Sequence, residues 1–234
     1  MTRTRMLKLS MSAGIAFAFL LVGSQAYADP CVLTGSFNGT YVVSGASTLD
    51  SLTGGACTTV TQQDKLWSNF SFPSSLVGDV VTFNFAKVGG NDVHTITVNG
   101  FFGSLATSTA WTYDISVIAP SKETLQMVAS DIIQTIGTSM FVVNMKDNNN
   151  NTYSTSFTQV GTTITGTTTT TFLPGATSIK VTDDSVDTSS GGSDATAAAN
   201  SFTQILVPEP ATLSLLGGGL ISLGLALRRR RDRR

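Results

Sequence analysis

From Asp29 to Leu206 the apolar positions fall mostly two residues apart. Phe70 and Phe72 alternate with polar neighbours, as do Val81, Phe83 and Phe85, and then Ile96 and Val98. Trp111, Tyr113, Ile115 and Val117 give the clearest stripe, and Phe141, Val143 and Met145 repeat it. Tyr153, Thr155 and Phe157 resume the alternation after Asp147-Asn148-Asn149-Asn150-Asn151. That Asp/Asn run suits a hairpin loop, because Asn and Asp tolerate left-handed backbone. Gly89-Gly90-Asn91-Asp92 and Asn99-Gly100 read as further turns. Strands are also expected at 168–172, 179–182 and 202–206. Side chains on a strand alternate between its two faces, so period two marks half-buried strands. The pattern predicts an all-β fold, an antiparallel β-sandwich whose strand order fits a jelly-roll or an Ig-like topology equally. One weak helical turn is expected over residues 121–129.

The two ends break the alternation with continuous apolar runs. Arg3, Arg5 and Lys8 precede an apolar stretch from Ile15 to Val22, followed by Ala26-Tyr27-Ala28. Charged start, short greasy core and a small-x-small site describe a secretory signal peptide over residues 1–28, cut by signal peptidase before Asp29. At the other end, Val207-Pro208-Glu209-Pro210 leads into an apolar segment over 211–227. Arg228, Arg229, Arg230, Arg231, Arg233 and Arg234 follow. Pro208 and Pro210 keep the first four residues extended. As a helix the apolar segment would span about 25 Å, short against a hydrocarbon core of about 30 Å. Gly217-Gly218-Gly219 in its middle weakens that helix further. The arginines hold their end on the cytoplasmic side by the positive-inside rule. A plain tail anchor is the competing reading of this segment.

This tail resembles the PEP-CTERM sorting signal of exported bacterial proteins, in both its parts and their order. The resemblance covers residues 207–234 and implies an exosortase as partner, with Val207, Pro208, Glu209 and Pro210 as the box it reads. It implies a transient membrane anchor, then placement at the cell surface or outside the cell, in a host that makes extracellular polysaccharide. The segment from Gly54 through Cys57 to Phe72 is also similar to an N-terminal pattern in some exported proteins of that kind.

Charge sharpens the division. The exported body, residues 29–206, holds five lysines, no arginine and thirteen acids, a formal charge of −8, although the whole chain stands at −1. An acidic body without arginine has little with which to grip phosphate, so a nucleic-acid partner is not expected. Its 178 residues suit one domain with a proper core. Cys31 and Cys57 are the chain's two cysteines, and an oxidising compartment predicts a disulfide between them.

Candidate chemistry in the body is thin. Asp183, Asp184 and Asp187 sit among Ser, Gly and Ala in a stretch that reads as a solvated acidic loop over 182–200. They form a weak calcium candidate that lacks the spacing of an EF-hand. No other metal site and no cofactor are expected. His94, the one histidine, lies two residues from Asp92, and no Gly-x-Ser-x-Gly elbow or His-Glu-x-x-His motif accompanies it. It reads as a packed strand residue, and Trp67 as a core anchor. The reading is an exported, non-enzymatic surface or matrix protein. A carbohydrate-binding module is the alternative, and an extracellular hydrolase a more distant one.

Overall fold

The structure, a computed structural model, describes residues 31–52, 55–100, 108–119, 121–134, 137–187, 195–206 and 219–222. The expected signal peptide and all of the tail except Gly219–Ser222 lie outside these residues. The strands are β1 (Cys31–Leu33), β2 (Gly39–Gly45), β3 (Thr48–Ser51), β4 (Ala56–Cys57), β5 (Val60–Gln62) and β6 (Lys65–Ser71). After a 3-10 turn at Ser74–Leu76 come β7 (Val80–Val88), β8 (Asn91–Asn99), β9 (Ser108–Val117), β10 (Glu123–Gln134) and β11 (Thr138–Asp147). The series ends with β12 (Thr152–Val160), β13 (Thr163–Thr167), β14 (Thr169–Ala176), β15 (Ser178–Asp187) and β16 (Ala195–Leu206).

These form two eight-stranded sheets, one ordered β1-β5-β6-β9-β15-β11-β12-β13 and the other β14-β10-β16-β8-β7-β2-β3-β4. Pairing is antiparallel except between β1 and β5. The sandwich expected from the alternation is present, and from β8 to β11 the chain changes sheet at every strand. In β8, Asp92, His94, Ile96 and Val98 all face inward. In β11 the inward set is Ser139, Phe141, Val143, Met145 and Asp147. Aromatic rings join the layers. Trp67 of β6 is fully buried, with ring centroids 5.3 Å from Phe83, 5.8 Å from Tyr113 and 5.8 Å from Phe202. Aromatic pairs of this kind add about 0.5–1.5 kcal/mol each beyond the area they bury.

The turns follow their residues. Gly89 and Gly90, at φ +61° and +87°, make the two-residue loop between β7 and β8 that only a left-handed turn can close. Asp147 organises the Asn run: its Oδ1 accepts the backbone N–H of Asn149 at 2.8 Å and of Asn151 at 2.9 Å. Asn150 takes the left-handed conformation at φ 66°.

Two expectations are corrected. Residues 123–129 belong to strand β10 and not to a helical turn. A register shift between Leu125 and Met127 puts an extra residue into the strand, so Leu125 and Val128 both face the core. A bulge thus converts the period of two into a spacing of three, which on sequence imitates a helix. The acidic stretch after Thr182 is not a solvated loop throughout: Asp183 and Asp184 lie within β15, and residues 195–200 within β16.

Cys31 and Cys57 form the expected disulfide, with Cα atoms 5.7 Å apart. It ties β1, at the edge of one sheet, to β4, at the edge of the other. Chain-entropy arguments put such a closed loop at about 3 kcal/mol.

Candidate functional site

Charged groups inside a sandwich stand out because burial penalises them unless each finds a partner. They gather where the β5–β6 hairpin folds over the neighbouring sheet. Gln63 at the tip adopts φ 55°, which turns the chain tightly and points Asp64 and Lys65 at β8 and β16. Lys65 is the first residue of β6 and its side chain is wholly enclosed, while the Asp64 side chain keeps 22% of its exposure. Lys65 Nζ donates to Asp64 Oδ1 at 2.5 Å. Gln204 Nε2 of β16 donates to Asp64 Oδ2 at 2.8 Å. One carboxylate therefore spans the two sheets.

His94 fills the next position. Its ring packs 5.2 Å from that of Phe85, and its Nδ1 lies 3.2 Å from Gln62 Oε1. Gln62 Oε1 also accepts the Trp67 indole N–H at 3.1 Å, and Gln62 Nε2 donates to the carbonyl of Phe37 at 2.9 Å. With that amide so oriented, His94 Nδ1 is the protonated nitrogen. Nε2 has no hydrogen-bond partner and stands 3.9 Å from Asp64 Oδ1. Among the described residues no serine hydroxyl bonds either ring nitrogen, and His94 is fully buried against Phe85. Asp92, at the outer end of the same strand, accepts Gln63 Nε2 at 3.0 Å and pairs with Lys87 at 2.9 Å.

The electrostatics follow from burial and contact. Burial, with the nearby Lys65 charge, pushes the His94 pKa down to about 4. Burial also lowers Lys65, against the pull of Asp64 in the other direction. At Asp64 burial acts upward, but hydrogen bonds from Lys65, Ser121 and Gln204, with the Lys65 charge, leave its pKa below the usual value. The carboxylate is ionised and the imidazole neutral at pH 7.

A second polar knot lies deeper between the sheets. Asp183 of β15 is 1% exposed, and Asn200 Nδ2 of β16 donates to its two oxygens at 2.8 and 2.9 Å. The same amide donates to the Tyr113 hydroxyl at 2.8 Å, and Trp111 stands opposite Asp183 on β9. Burial nevertheless dominates and raises Asp183 to about 8. At neutral pH it is chiefly the uncharged acid.

The calcium candidates fall differently from one another. Asp183 faces the core and is engaged by Asn200, whereas Asp184, the next residue along the strand, faces away. The side chain of Asp187 lies outside the described residues, as does Asp194. Among the described residues no cluster of His, Cys, Asp or Glu is placed to hold a metal ion. The sequence pointed to Trp67 and His94 but not to Lys65, Gln62, Asn200 or Gln204, since nothing in a lysine or an amide on a strand announces burial.

Comparison with known proteins bears on the tail. Residues 206–231 match the PEP-CTERM protein-sorting motif. The match takes in Val207, Pro208, Glu209 and Pro210 and runs through Arg231, and it supports export with membrane-anchored, exosortase-directed sorting. Among the described residues no helix is long and apolar enough to cross a membrane; Gly219–Ser222 is a single helical turn. No curated protein matches the chain in sequence. Among solved structures, TmCBM61 in complex with β-1,4-galactotriose is similar at 12% identity over 61% of this chain and 88% of that one, with a TM-score of 0.29. The enzymatically active domain of tailspike protein 4 from bacteriophage CBA120 is similar at 13% identity over 62% of this chain and 20% of that one, with a TM-score of 0.25. At these scores neither likeness carries a statement about ligand or activity.

Proposed function

For a chain that carries a PEP-CTERM protein-sorting motif, we propose the role of a non-enzymatic surface or matrix protein, cut from its anchor by an exosortase at the Pro208-Glu209-Pro210 box. The observation that carries this reading is the order of parts on one chain. A stretch with the pattern of an export signal precedes an acidic all-β body, and the matched sorting segment follows it. The short apolar run serves as a temporary hold, and the arginines keep it in place until cleavage. The body then leaves with a charge of −8 while six of the chain's eight arginines stay behind. Its neighbourhood is the extracellular polysaccharide of a biofilm, and contact with that polysaccharide is part of the proposal.

Mass spectrometry of the protein from its native host is the test. The expected product begins at Asp29, ends within residues 208–210, and focuses at a lower pH than the precursor. Recovery of the chain in the membrane fraction with Arg234 intact would overturn the cleavage. Retention on the host's polysaccharide in a pull-down, or its absence, decides the last part.

A further inference from the structure

Where Lys65, Asp64 and Gln204 meet, an amine, a carboxamide and a proton carrier share one nearly dry pocket. Lys65 has no exposed side-chain surface and Gln204 is 1% exposed. The Asp64 carboxylate holds both, with Oδ1 2.5 Å from Lys65 Nζ and Oδ2 2.8 Å from Gln204 Nε2. The carbonyl oxygen of Gln204 is buried with no hydrogen-bond partner. An enclosed ion pair is a poor way to stabilise a core, since apolar residues of the same volume usually do as well or better. Sorting through the tail makes no use of it either. The arrangement calls for another explanation.

We propose that Lys65 and Gln204 become joined by an intramolecular amide bond, a covalent staple between the two sheets, with Asp64 carrying the protons. The reaction starts along the existing hydrogen bond, where the Lys65 ammonium passes a proton to Asp64 and becomes a neutral amine. Burial favours that neutral form. The amine lone pair attacks Gln204 Cδ, and the carbonyl π pair moves onto Oε1. Asp64 delivers its proton to Nε2 and takes one from the attacking nitrogen. The Oε1 pair then returns, the bond from Cδ to Nε2 breaks, and ammonia leaves with the proton that Asp64 still holds. The sum is ammonium plus carboxamide giving a secondary amide plus ammonium, with no oxidant or other reagent. The exposed edge of Asp64 gives the ammonium a way out. Both groups are held on one carboxylate, Lys65 at Oδ1 and Gln204 at Oδ2, so the reaction is intramolecular and needs no encounter.

The staple adds to the disulfide a second covalent link between the sheets, one that reductants do not open. For a protein working outside the cell, where nothing refolds it, such a link slows unfolding.

The test is a peptide map of the full chain purified from cells that export it. The expected result is an intact mass lower by one ammonia, and one branched peptide that contains both Lys65 and Gln204, with no tryptic cleavage after Lys65. In SDS under reducing conditions the linked chain should run ahead of a Lys65→Met variant. Asp64→Asn, which keeps a hydrogen-bonding side chain but cannot carry the proton, should remain at full mass. Full mass in the unaltered chain, with Lys65 cleaved by trypsin and Gln204 on a separate peptide, would overturn the proposal. Because the unaltered chain decides by itself, a variant that fails to fold leaves the test intact.

Discussion

The two buried polar knots meet the cost of burial in opposite ways. Around Lys65, before any amide bond forms, the charges are retained and matched: the ammonium faces Asp64, and the carboxylate collects a further donor from Gln204. Around Asp183 no cation stands among the described residues, and the charge is given up. Asn200 supplies two amide protons among the two Asp183 oxygens and the Tyr113 hydroxyl, and its own Oδ1 lacks a partner. A proton on Asp183 adds a donor to a site with too few. The difference shows what sets ionisation in a sandwich core. Depth alone does not, since Lys65 is as enclosed as Asp183; the presence of an opposite charge within hydrogen-bond reach does.

Removing Asp64 is the strongest way to break this comparison. Asp64→Ala leaves the Lys65 ammonium enclosed without its partner and removes the Gln204 contact. We expect a loss of about 3 kcal/mol, the lower end for broken buried pairs because one edge of Asp64 is wet. Loss of the proposed amide bond acts in the same direction. Urea unfolding at neutral pH measures the total; a change under about 1 kcal/mol would mean that the charges are not matched as described.

Asn200→Ala is the corresponding cut in the deeper knot, and a smaller one. It strands the Tyr113 hydroxyl and the Asp183 carboxyl, but neither carries a full charge at pH 7. The expected loss is about 1–3 kcal/mol, the desolvation cost of unpartnered neutral groups. A loss larger than that from Asp64→Ala would invert the comparison.

How much of this was legible beforehand depends on whether a residue's fate is set locally. The strands around Trp111–Val117 and Phe141–Met145 follow from alternation alone. The Asn150 turn and the Gly89-Gly90 loop follow from backbone preference, and both the pattern and the turns appear in the structure as expected. Strand β10 was hidden by its bulge, because parity changes at Met127 and the core residues on either side fall three apart. The polar knots were illegible for a different reason. Asp64 and Gln204 stand 140 residues apart in sequence, and Asp183 touches Asn200 only because β15 and β16 lie in different sheets. Nothing near Asp183 on the chain distinguishes it from Asp184, its neighbour on the opposite face.

The finest test uses pH, because the two knots should push stability in opposite directions. Asp183 has a folded pKa of about 8, above the unfolded value near 3.8, so the folded state holds its proton more tightly. Its contribution is complete below about pH 4 and is lost as pH rises toward about 8. His94 runs the other way. Its pKa falls from 6.5 to about 4 on folding, so its contribution is complete above pH 6.5 and declines as pH falls toward 4. Asp64, also lowered, adds to the loss on the acid side. Asp183→Asn keeps shape and donors while removing the titration. At pH 5, where the native residue is neutral, we expect it to change stability by less than about 1 kcal/mol, as for an exchange of neutral hydrogen-bonding groups. Between pH 5 and 8 the unaltered protein should lose stability that the variant retains, so the two unfolding curves diverge as pH climbs. Curves that stay parallel across that range would show that Asp183 is ionised throughout, and the contrast between a matched charge and a surrendered one would fall.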